Sequence, residues 1–343
     1  PNIILSVCNC YICIQTYSMK SKQAISFLLK ISIVALALFF LYDQLNSNTN
    51  FKKFDLNNIL LTLKNNFSVL VLVIFLMFLN WYVESLKWRF LVSKIEKISI
   101  KTSLRAVFSG ITVSSFTPNR VGEYAGRVFC LKHADRIQGV LITVIGSMAQ
   151  LIITIVFGLI GILLLPNLMP SFDSFIEDLE FSYPIILFVV ILLSVLLVLL
   201  FLNASVFTVL LSKFRFLTKF SKYSKVFSFY SSSELLEVLL YSFVRYIIFT
   251  AQYFILLNIF SVEVSYINSM ILITTMLFVI SVIPTIAIAE VGIRGSVALY
   301  LFSLLSNNSI GILSATFCLW IINLVLPALI GIIFIFTLRF FRK

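Results

Sequence analysis

The chain has 343 residues, 60% of them hydrophobic and 12% charged, with 35 Phe and a mean hydropathy of +1.08. A soluble domain is about 45–50% apolar and about 25% charged, so this composition excludes a soluble enzyme or binding module and identifies an all-α polytopic membrane protein. The formal net charge of +12 would suggest nucleic acid in a soluble protein, but here Lys and Arg fall in short clusters between apolar runs, where they orient helices and meet anionic headgroups; nucleic acid is not an implied partner.

Three of the five cysteines, Cys8, Cys10 and Cys13, form a C-x-C-x-x-C tract near the start. That spacing is open to a metal or cluster fragment. However, the tract precedes Met19-Lys20-Ser21-Lys22 and an apolar run, which together have the form of a natural start. Residues 1–18 therefore read as a non-native or disordered upstream extension, and residues 19–343 as one transmembrane domain. Cys130 and Cys318 stand alone in apolar contexts and read as packing residues.

Ala24 to Tyr42 is the first spanning candidate, close to the roughly 20 apolar residues that a helix needs to cross. A cleaved signal peptide competes, but no small-residue cleavage site follows Tyr42, which favours an uncleaved helix with its basic end in the cytoplasm. Leu56, Ile59, Leu60, Leu63 and Phe67 then recur at helical spacing and predict a short amphipathic helix on the outer surface. Phe67 to Leu86 is the second span, and its aromatic and basic flank, Trp88-Arg89, places that end at the cytoplasmic interface. Glu84 and Lys87 near this end read as a snorkelling interfacial pair, with entry into a site as the alternative.

Ser103 to Thr117 and Asn119 to Leu131 flank Pro118, and neither half is long enough to span. Lys101 and Arg105 stand before them, and Lys132, His133 and Arg136 after them. Equal basic flanks predict a re-entrant hairpin that enters from the cytoplasm and returns there. Ile137 to Leu165 spans outward, with Gly146, Ser147, Gly158 and Gly161 as small contact positions. The acidic loop with Asp173, Glu177, Asp178 and Glu180 is exterior by charge, and Pro184 to Asn203 returns.

The basic, Phe-interleaved run from Lys213 to Lys225 is a positive-inside loop lying on anionic lipid; a dedicated headgroup-recruiting surface is its alternative. Leu235 to Phe260 spans outward and carries Arg245 deep enough to be a site candidate, with packing or snorkelling as the other reading. Ile267 to Ile283 and Thr285 to Ser306 flank Pro284 as a second broken pair. Ile310 to Leu338 is the last span, with a kink expected at Asn323 and Pro327. The count is about six full transmembrane helices plus two proline-broken hairpins, both termini cytoplasmic. Opposed entry of the two hairpins is the signature of an inverted repeat.

The two broken stretches carry the candidate site. The first holds Pro118, Arg120, Gly122, Glu123 and Arg127; the second holds Pro284, Glu290, Gly292 and Arg294. In each, a glutamate precedes an arginine by four residues, which lets the carboxylate neutralise the guanidinium on one helix face. A helix that ends inside a bilayer aims free N–H groups at the break, and a nearby Arg turns that point into a site for a lipid phosphate. The structural alternative is a helix break with an internal Glu–Arg pair. Enzymatic readings are weaker. The lone His133 excludes a multi-His metal site, and no G-x-S-x-G, H-E-x-x-H or P-loop occurs, so neither a metal nor another cofactor is expected.

At Thr117-Pro118-Asn119-Arg120-Val121-Gly122-Glu123 the chain resembles the lysylphosphatidylglycerol synthase transmembrane family, also called flippase-like membrane proteins, whose pattern is close to P-G-R-x-G-E followed by an arginine. Trp88-Arg89 and Gly292-Ile293-Arg294 also match, and the resemblance covers roughly residues 19–343. It implies a lipid translocase and puts weight on Pro118, Arg120, Gly122, Glu123 and Arg294. Asn119 departs from the family's usual glycine, and Gly295-Ser296 stands where an acidic residue often follows the arginine. The soluble aminoacyl-transferase domain of the fused members is not expected here. The implied activity is translocation, not driven by ATP, of an anionic phospholipid or lipid-linked sugar across the bacterial cytoplasmic membrane. A non-transporting membrane partner of a lipid-modifying or glycosyltransferase enzyme is the alternative, with an integral glycolipid transferase third.

Overall fold

The computed structural model describes residues 56–117, 120–168, 183–203, 225–283 and 287–336, with isolated helical positions Ile25, Leu28, Ile31, Ser32, Ala35 and Phe39. The first predicted span, the acidic 173–180 loop and the basic loop from Lys213 to Lys222 fall largely or wholly outside these residues. Among the described residues every regular element is helical. The elements are α1 (Leu56–Asn65), α2 (Phe67–Val92), α3 (Ile100–Ser114), α4 (Gly122–Val128), α5 (Arg136–Leu164), α6 (Tyr183–Leu202), α7 (Ser232–Ile259), α8 (Tyr266–Val282), α9 (Ala287–Phe302), α10 (Ser309–Trp320) and α11 (Leu326–Ile335).

Among the described residues, four continuous helices are long and apolar enough to cross a membrane: α2, α5, α7 and the joined α10–α11. Polar caps set their starts where the sequence offers them. Asp135 accepts from the Ile137 amide before α5, Ser231 and Glu234 form a capping box before α7, and Asn308 accepts from the Gly311 amide before α10. The kink expected in the last span is a π-turn over Ile321–Val325. Pro327 has no N–H to return to Asn323 four residues earlier and its ring crowds that carbonyl, so the helix widens there.

Antiparallel α2 and α7 form the centre. Gln252 donates from α7 to the Val73 carbonyl (2.9 Å), Arg245 Nε donates to Asn80 (2.9 Å) and Lys87 donates to Ser242 (3.3 Å). At one end of the pair, the Tyr230 hydroxyl donates to the Leu91 carbonyl (2.6 Å) and Lys94 pairs with Glu234 (2.6 Å). This end of the bundle also holds both feet of the first hairpin. Glu96, between α2 and α3, accepts from the backbone amides of Lys132, His133 and Ala134 at 2.8–3.1 Å.

The second hairpin, α8 and α9, has its feet at the other end of α7, about 42 Å away along the helix axis. There Asn308 donates to the carbonyls of Phe260 and Ser261, both at 3.0 Å. The feet of the two hairpins therefore lie at opposite ends of the bundle.

Each hairpin docks on the closing helix of the other half of the chain. In the first, α3 packs on α11: Thr112 donates to the Ala328 carbonyl (2.8 Å), and Gly331 lies so close to Phe108 that no Cβ fits. In the second, α8 packs on α5, where Gly158 and Gly161 make room for Phe278, Thr274 and Thr275. Small residues allow the close approach that lets helices associate in lipid. The resulting relation is reciprocal: centre helix, inserted hairpin and closing helix occur twice, with the hairpins exchanged.

Two expectations need correction. The second span does not end near Leu86 but continues to Val92. Accordingly Trp88 is not an interfacial anchor: it is 1% exposed, and its indole N–H donates to Thr143 (3.1 Å) in the core. The return arm of the first hairpin is also shorter than Asn119 to Leu131; its helix is the seven-residue α4.

Candidate functional site

The site grows from the polar stripe Asn80, Glu84 and Lys87 on α2, at i, i+4 and i+7, which puts all three on one face. That face turns inward against α5 and α7. Glu84 is 4% exposed and Lys87 1% exposed. Glu84 and Lys87 do pair (2.8 Å), but not as the interfacial couple expected from their position. A lysine with an interfacial role keeps its ammonium in water; this one donates to the Gly146 carbonyl (3.2 Å) and to Ser242 instead.

Glu84 holds two further cations. Its Oε1 accepts from Arg127 (2.7 Å) and its Oε2 from Arg245 (2.5 Å). Arg127 also pairs with Glu123 one turn back on α4. A buried carboxylate is tolerated only when its lone pairs are met by cations or donors, and Glu84 meets three. The cluster of three cations and two carboxylates keeps one positive charge in excess. It ties the first hairpin, through Arg127, to the centre helices.

Beside this cluster lies a cavity of about 580 Å³. Asn80, near the middle of α2, and Arg245, near the middle of α7, both line it, so it sits midway between the two ends of the bundle. Arg245 is fixed from several sides: Asn80 and Glu84 accept its protons, Gln150 accepts at 3.3 Å, and its guanidinium lies 5.2 Å from the centre of the Trp81 ring. Arg120 from the first hairpin and Arg294 from α9 line the same cavity, as do Ser281, Val282 and Ile283 at the tip of the second hairpin. Thus the tips of both hairpins meet at one chamber, and three arginines from three elements converge there.

The first tip is held by its own chemistry. Thr117 accepts from the Gly122 amide (2.9 Å), closing the turn onto α4. Arg120 follows at φ 57°, a left-handed conformation that costs a non-glycine residue about 1–2 kcal/mol. Gly122 has no space for a Cβ, which would meet the Val113 carbonyl oxygen at 2.5 Å, and a Cβ on Gly126 would meet Gly110 Cα at 2.6 Å. The motif glycines of this hairpin therefore serve the α3–α4 crossing. Gly292 differs: among the described residues nothing stands where its Cβ would be.

Of the residues singled out from sequence, Arg120, Arg245 and Arg294 share the cavity. Glu123 and Arg127 belong to the buried ion cluster, and Arg127 does not line the cavity. Pro118, Pro284 and the side chain of Glu290 lie outside the described residues. The expected helix end at the first tip contributes little, because α4 is only about two turns long and its first amide is already taken. Sequence reasoning missed Glu84 as the hub, together with Asn80, Trp81, Gln150, Tyr246 and Trp320. The available signal was the i, i+4, i+7 spacing of Asn80, Glu84 and Lys87 in an otherwise apolar helix.

No curated protein and no solved structure matches the chain. The family model described as the lysylphosphatidylglycerol synthase TM region matches residues 27–331, which takes in every described helix up to the middle of α11. With both hairpins and both centre helices inside that match, the chain belongs to the lysylphosphatidylglycerol synthase transmembrane-region family, a multi-pass membrane protein of a family tied to lipid metabolism or transport.

Proposed function

We propose that the protein moves an anionic phospholipid or lipid-linked sugar between the leaflets of the bacterial cytoplasmic membrane without ATP. The observation that carries this reading is the meeting of two oppositely entering hairpins at a mid-bundle cavity walled by Arg120, Arg245 and Arg294. Guanidinium groups bind a phosphate diester through paired hydrogen bonds, and they do so most strongly where water is scarce. A site near the midplane, flanked by elements that open from opposite faces, suits alternating access. Glu84 limits the cost of holding Arg245 there when the cavity is empty, and a lipid phosphate competes with it for the same donors. In this reading the protein is a translocator rather than an enzyme, and no metal or other cofactor takes part.

The test is leaflet exchange of a fluorescent anionic lipid in proteoliposomes that hold only the purified protein and no nucleotide. Exchange at least tenfold faster than in protein-free vesicles is expected. Equal rates across several anionic and glycosylated lipids would contradict translocation and favour a partner role beside a lipid-modifying enzyme.

A further inference from the structure

Four residues of the cavity wall carry a polar atom that has no hydrogen-bond partner among the described residues: the indole N–H of Trp81, the hydroxyl of Tyr246, the indole N–H of Trp320 and the amide oxygen of Asn323. All four residues are more than nine-tenths buried, at 5–8% exposure. A buried polar atom without a partner costs about 1–3 kcal/mol, so four around one chamber need a reason. They come from α2, α7 and the continuous helix of α10 and the π-turn, three of the helices that wall the cavity. The set comprises two obligate donors, one hydroxyl that gives and takes, and one acceptor. None of them is charged.

Resting on the translocation reading above, we infer that this set is a second subsite, which receives the hydroxyl groups of a polyol or sugar attached to the phosphate. The four atoms themselves are covered while their residues line the chamber, so a ligand engages them when these side chains turn toward it. Hydroxyls are matched to such a set because each both donates and accepts. The flat faces of Trp81 and Trp320 add apolar walls against which the C–H face of a polyol or pyranose packs. An ammonium-bearing headgroup is disfavoured: it meets three guanidiniums, and Glu84, the carboxylate bonded to Arg245, is already matched by three cations. The shared chemistry is a phosphate diester with vicinal hydroxyls, supplied either by a glycerol headgroup or by a glycosyl phosphate lipid.

Binding and transport separate this inference from the reading beneath it. Two of the three tryptophans in the sequence, Trp81 and Trp320, line the chamber, so tryptophan emission of the full purified chain reports its occupancy. Four short-chain probes are titrated: phosphatidylglycerol, an alkyl hexose phosphodiester, phosphatidylmethanol of equal charge without hydroxyls, and phosphatidylethanolamine. At least one hydroxylated probe should bind about tenfold tighter than phosphatidylmethanol, since each added hydrogen bond contributes roughly 0.5–1.5 kcal/mol net. Which of the two binds tighter identifies the source. Phosphatidylethanolamine should bind weakest.

Tyr246→Phe removes only an unpartnered hydroxyl, so thermal stability should hold or rise while the preference for the hydroxylated probe falls roughly three- to tenfold. Asn323→Leu should reduce the preference likewise. Equal affinity for hydroxylated probes and phosphatidylmethanol would overturn the inference, as would an unchanged preference in Tyr246→Phe or no saturable binding of either hydroxylated probe. If the preference holds but leaflet exchange fails, translocation is wrong and the subsite remains.

Discussion

Glu84 accepts from three cations inside the bundle, and its replacement isolates the electrostatics of the site. Glu84→Gln keeps the shape but strands Lys87, Arg127 and Arg245 with one carboxylate fewer. Removing one partner of a buried ion pair typically costs about 3–5 kcal/mol, so a large drop in thermal stability in detergent is expected; an unchanged melting temperature would mean that the cluster is solvated. Glu84 was not legible as a hub. Near the expected end of a span, a Glu and a Lys three residues apart read as a surface pair, and only the true length of α2 turns that position inward. Arg120, Arg127, Arg245 and Arg294 were legible, because a guanidinium in an apolar run is costly without a purpose. Their division between one cavity and one ion cluster was not, because it depends on packing between distant helices.

Apart from the far end of α2, the described spans were readable to within a few residues, since apolar runs, caps and prolines mark them locally. At Asn323 and Pro327 the sequence marked a kink, and the structure supplies its form, a π-turn. Two motif glycines that look alike in sequence now separate. Gly126→Ala places a methyl group against Gly110 Cα and should destabilise the first hairpin by about 1–3 kcal/mol, whereas Gly292→Ala meets open space and should hold or raise stability by about 0.5–1 kcal/mol as a helix interior substitution. Thermal melts of the two variants check this pair of outcomes.

The feet of the first hairpin offer a pH test. Burial acts to raise the Glu96 carboxyl, but the amides of Ala134, His133 and Lys132 outweigh it, and its pKa ends below the ordinary value of 4.5. A depressed carboxyl stabilises the fold above its unfolded value and loses that contribution as pH falls through the folded one. The stability advantage of the native chain over Glu96→Gln should therefore be full at neutral pH, begin to shrink as the pH reaches the ordinary carboxyl value of 4.5, and be lost as the pH falls through the depressed folded value; a gap that persists in strong acid would assign it to packing.

At the scale of the whole molecule, the resemblance between the two proline-broken stretches suggested opposed hairpins. The exchange of those hairpins between halves was invisible, because it rests on Gly331 meeting Phe108 and on Gly158 and Gly161 meeting α8, contacts far apart in the chain. Opposition is directly measurable. In a cysteine-free background, Lys97→Cys and Asn307→Cys mark the feet of the two hairpins. An impermeant reagent added outside intact cells should label Asn307→Cys and spare Lys97→Cys; labelling of both would contradict opposed entry, and the reverse pattern would contradict the cytoplasmic placement of the first hairpin.

The central claim is that both hairpins contribute to one phosphate site. Leaflet exchange of anionic lipid by Arg120→Gln, by Arg294→Gln, and by Arg294→Gln combined with Glu290→Gln tests it most directly. Each single loss should lower the exchange rate at least tenfold while the protein still inserts. Neutralising Glu290 as well, four residues before Arg294 in the sequence, should not recover exchange, because it does not rebuild the site. Native exchange by the double variant, or by either single variant, would contradict the shared site and leave these stretches as helix breaks.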